Sequence, residues 1–132
     1  MAFSLRGGMT FTTPAGTVSS VTGTYSVDAL AEYDIVVPAN QTDLEVEASF
    51  PYANIKAVLF SSDAAVTIET NSSSAPDDTI SLTSTVLAKC WTHDGKVGNL
   101  AANPLSADVT ALYITHTTAC TVKIRVGYDS TP

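Results

Sequence analysis

The sequence has few charged residues, few cysteines and no long apolar run. Only 14% of its residues are charged, and its six basic residues are scattered through a chain of 132 residues with a formal net charge of −7. No segment approaches the roughly 20 apolar residues of a membrane span. Binding to nucleic acid requires clustered Lys and Arg that release counterions, and an acidic membrane surface would repel this chain. Neither nucleic acid nor a membrane is therefore an expected partner.

Motifs for catalysis are missing as well. The chain contains no Gly-x-Ser-x-Gly nucleophile elbow, which a serine hydrolase of that type requires. Its start lacks the apolar segment of a secretory signal, which predicts folding in a cytosol, where Cys90 and Cys120 would remain free thiols. We therefore predict a protein without enzymatic activity and without a cofactor.

Alternation of apolar and polar residues is the pattern that the sequence does contain. It is strictest at the end of the chain, in residues 112–116 and 122–126, which are separated by a short connection. Alternation with a period of two is typical of β-strands with one buried face. Two such segments joined by a few residues predict an antiparallel hairpin.

The same pattern recurs along nearly the whole chain. Eight or nine short segments follow one another at a spacing of about 8–12 residues, separated by Gly, Pro, Asn, Asp and Ser, and evidence for helices is thin. This predicts an all-β fold, an antiparallel β-sandwich of jelly-roll type with eight or nine short strands. Residues 9–132 are expected to form this single domain, which agrees with the length of the chain.

Residues 1–8 are expected to form a flexible N-terminal arm. The pair Gly7-Gly8 would provide its hinge, because glycine restricts the backbone least. The arm carries Phe3, Leu5 and Arg6, which are the candidate partner-binding residues. The alternative is an unattached terminus without a binding role.

All histidines and cysteines of the chain fall into two pairs. Cys90 and His93 form one pair, and His116 and Cys120 form the other. Four such ligands would suffice for a tetrahedral zinc ion. The alternation places Cys90, His116 and Cys120 on buried faces but not His93, so the pattern favours buried thiols and histidines at strand ends over a zinc site.

Carboxylates and aromatic residues leave a binding module open as an alternative. Acidic residues cluster around Asp28, around Asp43 and at Asp77-Asp78, and a calcium ion takes several carboxylate oxygens. Trp91 could offer a platform for a carbohydrate, although a single Trp in a β-sandwich is more often a core residue. A solvated acidic face explains the carboxylates equally well.

The second half of the chain resembles virion structural proteins of tailed bacteriophages. The resemblance covers residues 64–129 and is carried by the segments 66–82, 103–115 and 121–129. Such proteins include capsid decoration, or cement, proteins, which are β-sandwich or jelly-roll modules that stabilise the head, often as trimers. No site residues transfer with the resemblance.

The resemblance implies a non-enzymatic protein made in the cytoplasm of a bacterial host and placed on the outer surface of a phage head. Its partners would be the major capsid protein of the same particle and further copies of itself, with a trimer favoured. The alternative is a small carbohydrate- or calcium-binding β-sandwich module of a phage tail or adhesin.

Overall fold

A computed structural model describes residues 3–14 and 16–129 of the chain. Ten β-strands make up the fold, and the described residues contain no helix. The strands are β1 (Phe3–Thr13), β2 (Gly16–Val27), β3 (Ala29–Val37), β4 (Gln41–Phe50), β5 (Ile55–Ser62), β6 (Val66–Thr70), β7 (Thr79–Leu82), β8 (Ala88–Thr92), β9 (Val109–His116) and β10 (Cys120–Tyr128).

Eight of these strands form a sandwich of two antiparallel sheets. Sheet I has the order β3-β10-β5-β8, and sheet II has the order β4-β9-β6-β7. All pairs in both sheets are antiparallel. Except for β6 and β7, consecutive strands lie in opposite sheets, which is the winding of a jelly roll. The predicted fold class is confirmed, with eight strands in the sandwich and two more in a separate hairpin.

The core lies between the two sheets. Alternate side chains along each strand point inward and fill it. Ile114 and Leu112 of sheet II are fully buried, as are Ile124, Val122 and Phe60 of sheet I. All five belong to one apolar cluster. Burial of this kind stabilises a fold by about 25 cal/mol per Å² of apolar surface. The alternation in residues 112–126 thus identified buried positions correctly.

The hairpin predicted for the end of the chain is wrong. β9 pairs with β4 and β6 in sheet II, whereas β10 pairs with β3 and β5 in sheet I. Residues 117–119 therefore cross from one sheet to the other. Two strands that face each other across a core bury alternate residues just as two paired strands do, so alternation alone does not distinguish the arrangements.

Continuous alternation through residues 79–91 predicts one strand, and the structure contains two. Thr83 and Val86 exchange backbone hydrogen bonds of 3.0 and 3.1 Å in a turn that separates β7 from β8. The turn resets the alternation, so Cys90 does not share the inward face of Ile80. Cys90 is opposite Leu59 on β5 and lines a pocket on the outer face of sheet I, away from sheet II.

The remaining two strands, β1 and β2, form a two-stranded antiparallel sheet of their own. Pairing runs from Phe3 opposite Val27 to Thr13 opposite Gly16, with one irregularity between Met9 and Thr10. The predicted boundary after Gly8 therefore falls inside a strand, and residues 3–8 are paired rather than a free arm. Ladder hydrogen bonds with β2 override the local freedom of the two glycines.

Candidate functional site

The β1–β2 hairpin is the feature of the molecule that a jelly roll does not require. Its strands have 11 and 12 residues, longer than any strand of the sandwich. At about 3.4 Å per residue, the shorter strand spans about 37 Å. Residues 3–8 and 23–27 form the part that contacts the sandwich and are called the hairpin base. Residues 9–14 and 16–22 are called the distal hairpin.

The hairpin base covers the outer face of sheet I through a close approach at Gly127. A Cβ atom at Gly127 would lie 3.0 Å from Leu5 Cδ2 and 3.3 Å from Val27 Cγ1. Val27 is 1% exposed, although it does not belong to the core cluster between the sheets. A side chain at position 127 would require these neighbouring side chains to shift, so glycine allows the hairpin to lie this close to β10.

A second apolar contact lies at the β8 edge of sheet I. A Cβ atom at Gly7 would be 3.3 Å from Val97 Cγ1, and Val97 is buried. It belongs to the loop after β8, which runs beside that outermost strand through a bridge between Trp91 and Gly98. The hairpin base thus crosses sheet I from β10 to the edge at β8.

Tyr25 provides the main polar contact between the hairpin and the sandwich. Its hydroxyl donates a hydrogen bond of 2.8 Å to Asp94 Oδ1, while its ring meets that of His93 edge to face at 5.6 Å. The same Asp94 oxygen accepts a bond of 3.1 Å from the Lys96 amide and lies 3.2 Å from the Thr92 hydroxyl. Tyr25 is only 4% exposed, whereas Asp94 is exposed, so the contact is partly buried.

The contact shifts the pKa of both partners. Burial raises the pKa of Tyr25, and the nearby Asp94 carboxylate adds to that increase against an opposing hydrogen bond with Thr92. For Asp94, desolvation alone would raise the pKa. Hydrogen bonds from Lys96, Tyr25 and Thr92 outweigh it and leave the pKa below its ordinary value, because they favour the charged form.

The end of β2 is held by a third contact. Lys56 Nζ donates a hydrogen bond of 2.9 Å to the Ser26 carbonyl and lies 3.2 Å from Asp129 Oδ2. The other carboxylate oxygen of Asp129 accepts a bond of 3.2 Å from the Asp28 amide. These bonds fix the single residue that connects the hairpin to β3.

A pocket of about 340 Å³ lies between the hairpin base and sheet I. Its walls are largely apolar and include Leu5, Leu59, Cys90 and Val97, with Arg6 and Arg125 among the lining residues. Arg125 is already engaged, because its Nη2 is 2.9 Å from Asp34 Oδ1. Its Nη1 donates to the Tyr33 carbonyl at 3.2 Å.

The β1–β2 ladder continues through the distal hairpin. Past the pair Gly8–Thr22, β1 has five further residues, which correspond to about 17 Å at 3.4 Å per residue. Among the described strands, β1 and β2 have no neighbour other than each other. Each therefore has one edge without a strand partner, where backbone N–H and C=O groups can pair with another chain.

The distal hairpin is also free of charge. Residues 7–27 contain no Asp, Glu, Lys or Arg, the longest such stretch in the sequence. All thirteen acidic residues and five of the six basic residues follow Val27, so the chain after the hairpin has a formal charge of −8. The sequence alone contains this uneven distribution of charge. Dividing the segment into an arm (residues 1–8) and a separate strand splits the uncharged stretch, so its full length is not recognised.

The predicted arm residues are distributed differently from expectation. Phe3 is opposite Val27 at the start of the ladder. Leu5 is half-buried against the chain itself near Gly127, and Arg6 is exposed. Docking of these three residues onto a partner remains a prediction. Because Leu5 contacts its own chain, Arg6 is more accessible to a partner than Leu5 is.

The four zinc candidates do not converge. Cys90 lies on the outer face of sheet I, His93 is exposed in the following turn, and Cys120 is buried at the start of β10. His116 is 6% exposed, and neither ring nitrogen has a hydrogen-bond partner. Across residues 3–14 and 16–129, no three His, Cys, Asp or Glu side chains are grouped in a way that could hold a metal ion.

The carboxylates at Asp77-Asp78 organise a loop. Asp78 accepts bonds of 2.8 and 2.9 Å from the Ser106 amide and hydroxyl. Asp77 Oδ2 accepts a bond of 2.7 Å from the Asn71 amide group, which also donates to the Asp108 carbonyl at 2.8 Å. These bonds account for the acidic loop without a bound cation.

Trp91 and Tyr128 pack against the core instead of standing free on the surface. Both are half-buried and contact the apolar cluster between the sheets. The expectation that Trp91 is a core residue agrees with this position. A carbohydrate platform would need an exposed ring face.

Comparison with known proteins adds no relative. No protein-family model, curated protein or solved structure matches the chain at a significant level. In the part of the chain that the structure describes, no helix is long and apolar enough to cross a membrane.

Proposed function

We propose that this chain is a non-enzymatic structural protein of a tailed-bacteriophage particle. It decorates the outer surface of the head and stabilises the capsid by bridging neighbouring shell subunits. Its partners are the major capsid protein and further copies of itself, with a trimer as the favoured oligomer. The host cytoplasm is its place of synthesis.

The observation that carries this proposal is the hairpin. It is anchored at its base by Gly127, Tyr25 and Lys56, and each of its two strands has one edge without a partner among the described strands. A two-stranded sheet alone is marginally stable in water, so a long one is suited to completion by another chain. An anchored arm of this kind supports a role in assembly.

The sandwich supports the same role in a simpler way. Jelly rolls are common in viral capsid proteins, and the resemblance of residues 64–129 to virion proteins implies that architecture. Each bound copy would add buried area to the assembled shell, and binding to the assembled state alone stabilises it by mass action. The fold by itself does not specify this function.

Binding to heads assembled without this chain tests the proposal. Purified chain is mixed with such heads and co-sedimented, and the temperature at which the heads release their DNA is measured. We expect saturable binding and a higher release temperature. A chain that neither sediments with the heads nor changes their stability overturns the proposed function.

A further inference from the structure

We propose that the distal hairpin pairs edge to edge, in antiparallel orientation, with the distal hairpin of a second copy of this chain. The inference rests on the assembly role proposed above and deepens it by naming the surface and its partner. Each such contact joins two copies, so the trimer proposed above would need contacts other than this one. The inference assigns self-association to residues 9–14 and 16–22. The sandwich then remains free to contact the shell.

The unpaired backbone of the hairpin supplies the binding groups. β1 and β2 pair only with each other among the described strands, so along each strand about half of the backbone N–H and C=O groups point to an edge without a strand. Pairing of two hairpins converts two marginal two-stranded sheets into one sheet of four strands. Three or more strands are the size at which a sheet becomes stable on its own.

The length of their uncharged stretch distinguishes these edges from the others described, because β7, the sandwich edge strand without a charge, has only four residues. Exposed edge strands in natural proteins are usually protected by charges, prolines, bulges or covering loops. Here the edge strand β3 exposes Glu32 and Asp34, whereas Asn99 covers β8 by donating to the Ala88 carbonyl and accepting from the Cys90 amide. Residues 7–27 carry no charge at all, so the irregularity between Met9 and Thr10 is left to protect these edges without the help of charges, which favours pairing.

Charge also favours pairing of two copies through their distal hairpins over direct contact between their sandwiches. The chain after Val27 carries a formal charge of −8, so two sandwiches in direct contact would repel each other. The five residues of β1 in the distal hairpin that pair with β2 span about 17 Å, which exceeds the Debye length of about 8 Å at physiological ionic strength. Two neutral hairpins can therefore pair while the acidic sandwiches stay outside the range of their mutual repulsion.

Sedimentation of the isolated chain tests the inference without any particle. The wild type at about 100 µM, well above a micromolar Kd, is expected to sediment as an oligomer. The variant T12E/T17E places like charges at positions that are opposite each other in the hairpin. It is expected to raise the dissociation constant at least about tenfold, because both edge strands then carry a charge that meets like charges on the second copy.

The matched control adds the same charges to another edge strand. Thr79 and Ser81 are exposed on β7, the outermost strand of sheet II, so T79E/S81E is expected to sediment as the wild type does. Loss of oligomers in this control but not in T12E/T17E overturns the inference in favour of the β7 edge. A monomeric wild type, or an oligomer unaffected by T12E/T17E, also overturns it.

Disulfide trapping keeps the inference testable where T12E/T17E fails to fold. In a chain with Cys90 and Cys120 replaced by Ala, Thr12→Cys is expected to give a covalent dimer on oxidation and Ser81→Cys is not. The reverse pattern overturns the inference. A chain that is monomeric in solution but binds heads through an intact hairpin overturns self-pairing and leaves the proposed function standing, so the two failures are distinguishable.

Discussion

The edge strands β3 and β8 of the sandwich differ from the two edges of the hairpin in how they are protected against pairing. At the sandwich, acidic side chains stand along β3 and a loop covers β8, with the Asn99 and Leu100 amides both donating to the Cys90 carbonyl at 3.1 Å. At the hairpin, residues 7–27 offer two long edges without a charged residue. Since an edge without charges is more open to pairing, the contrast supports the proposal that the chain associates through the hairpin and not through the sandwich.

The two regions also differ in what holds them in place. The sandwich has a continuous core of fully buried side chains between two sheets. The hairpin base depends on a few contacts over one face of sheet I, at Gly127, Val97 and Asp94. Local opening in proteins occurs where buried apolar contacts are few, so the hairpin should detach under conditions that leave the sandwich folded.

The largest effect is expected from a cavity in the sandwich. Ile114 is fully buried, and Ile114→Ala is expected to lower the free energy of unfolding by about 2–5 kcal/mol. Urea denaturation followed by far-UV circular dichroism measures the loss. Val36 is 80% exposed, so Val36→Ala should change the same quantity by less than about 0.5 kcal/mol. Equal effects of the two substitutions would contradict the assigned core.

A smaller effect is expected from lifting the hairpin base off sheet I. Gly127→Ala places a methyl group 3.0 Å from Leu5 Cδ2, which forces one of them to move and costs about 1–3 kcal/mol. Hydrogen exchange should become faster in β1 and β2 and stay unchanged in β9. Combining it with Leu5→Ala should recover part of the loss, because the two residues are in contact. Additive effects would show that the hairpin does not lie on Gly127.

His116 offers a substitution that should stabilise the sandwich. Its buried ring nitrogens have no hydrogen-bond partner, and an unsatisfied buried polar group costs about 1–3 kcal/mol. His116→Leu is expected to raise the free energy of unfolding by about 1–2 kcal/mol in urea denaturation. His93 is exposed, so His93→Leu should give no such gain. A destabilised His116→Leu variant would indicate a partner for this ring.

Sequence patterns identified the burial of these residues better than their pairing. The alternation in residues 112–126 places His116 and Cys120 inside, and both are buried. It also predicted a hairpin, although β9 and β10 lie in different sheets. Burial depends on a residue's own polarity and spacing, whereas pairing depends on the path of the whole chain. A jelly roll separates these last two strands, so the predicted fold already conflicted with the predicted hairpin.

The hairpin itself was harder to anticipate for a related reason. The pair Gly7-Gly8 locally favours a hinge, but pairing with residues 22 and 23 extends the strand through it. Tyr25 and Asp94 are 69 residues apart in the chain, and no local pattern announces that they meet. For the candidate site, the informative sequence signal was the missing charge in residues 7–27, which marks a segment with a different environment from the rest.

The smallest effect is expected at the Tyr25–Asp94 contact and should depend on pH. Because the pKa of Asp94 is lowered in the folded protein, its stabilising effect is present above the ordinary carboxyl value of about 4 and is lost as the pH falls below it. Because the pKa of Tyr25 is raised, its contribution is present below about pH 10 and is lost above that value.

Hydrogen exchange of the hairpin base as a function of pH, corrected for the intrinsic exchange rate, measures this contact. Tyr25→Phe removes the bond to Asp94 but retains the ring, so at neutral pH exchange in β1 and β2 should accelerate about three- to tenfold. In that variant the alkaline loss of protection should disappear, whereas Tyr33→Phe, which removes a hydroxyl bonded to Ser49, should retain it. If protection in Tyr25→Phe is still lost at alkaline pH, a group other than Tyr25 causes the loss. The hairpin base would then be held by its apolar contacts alone.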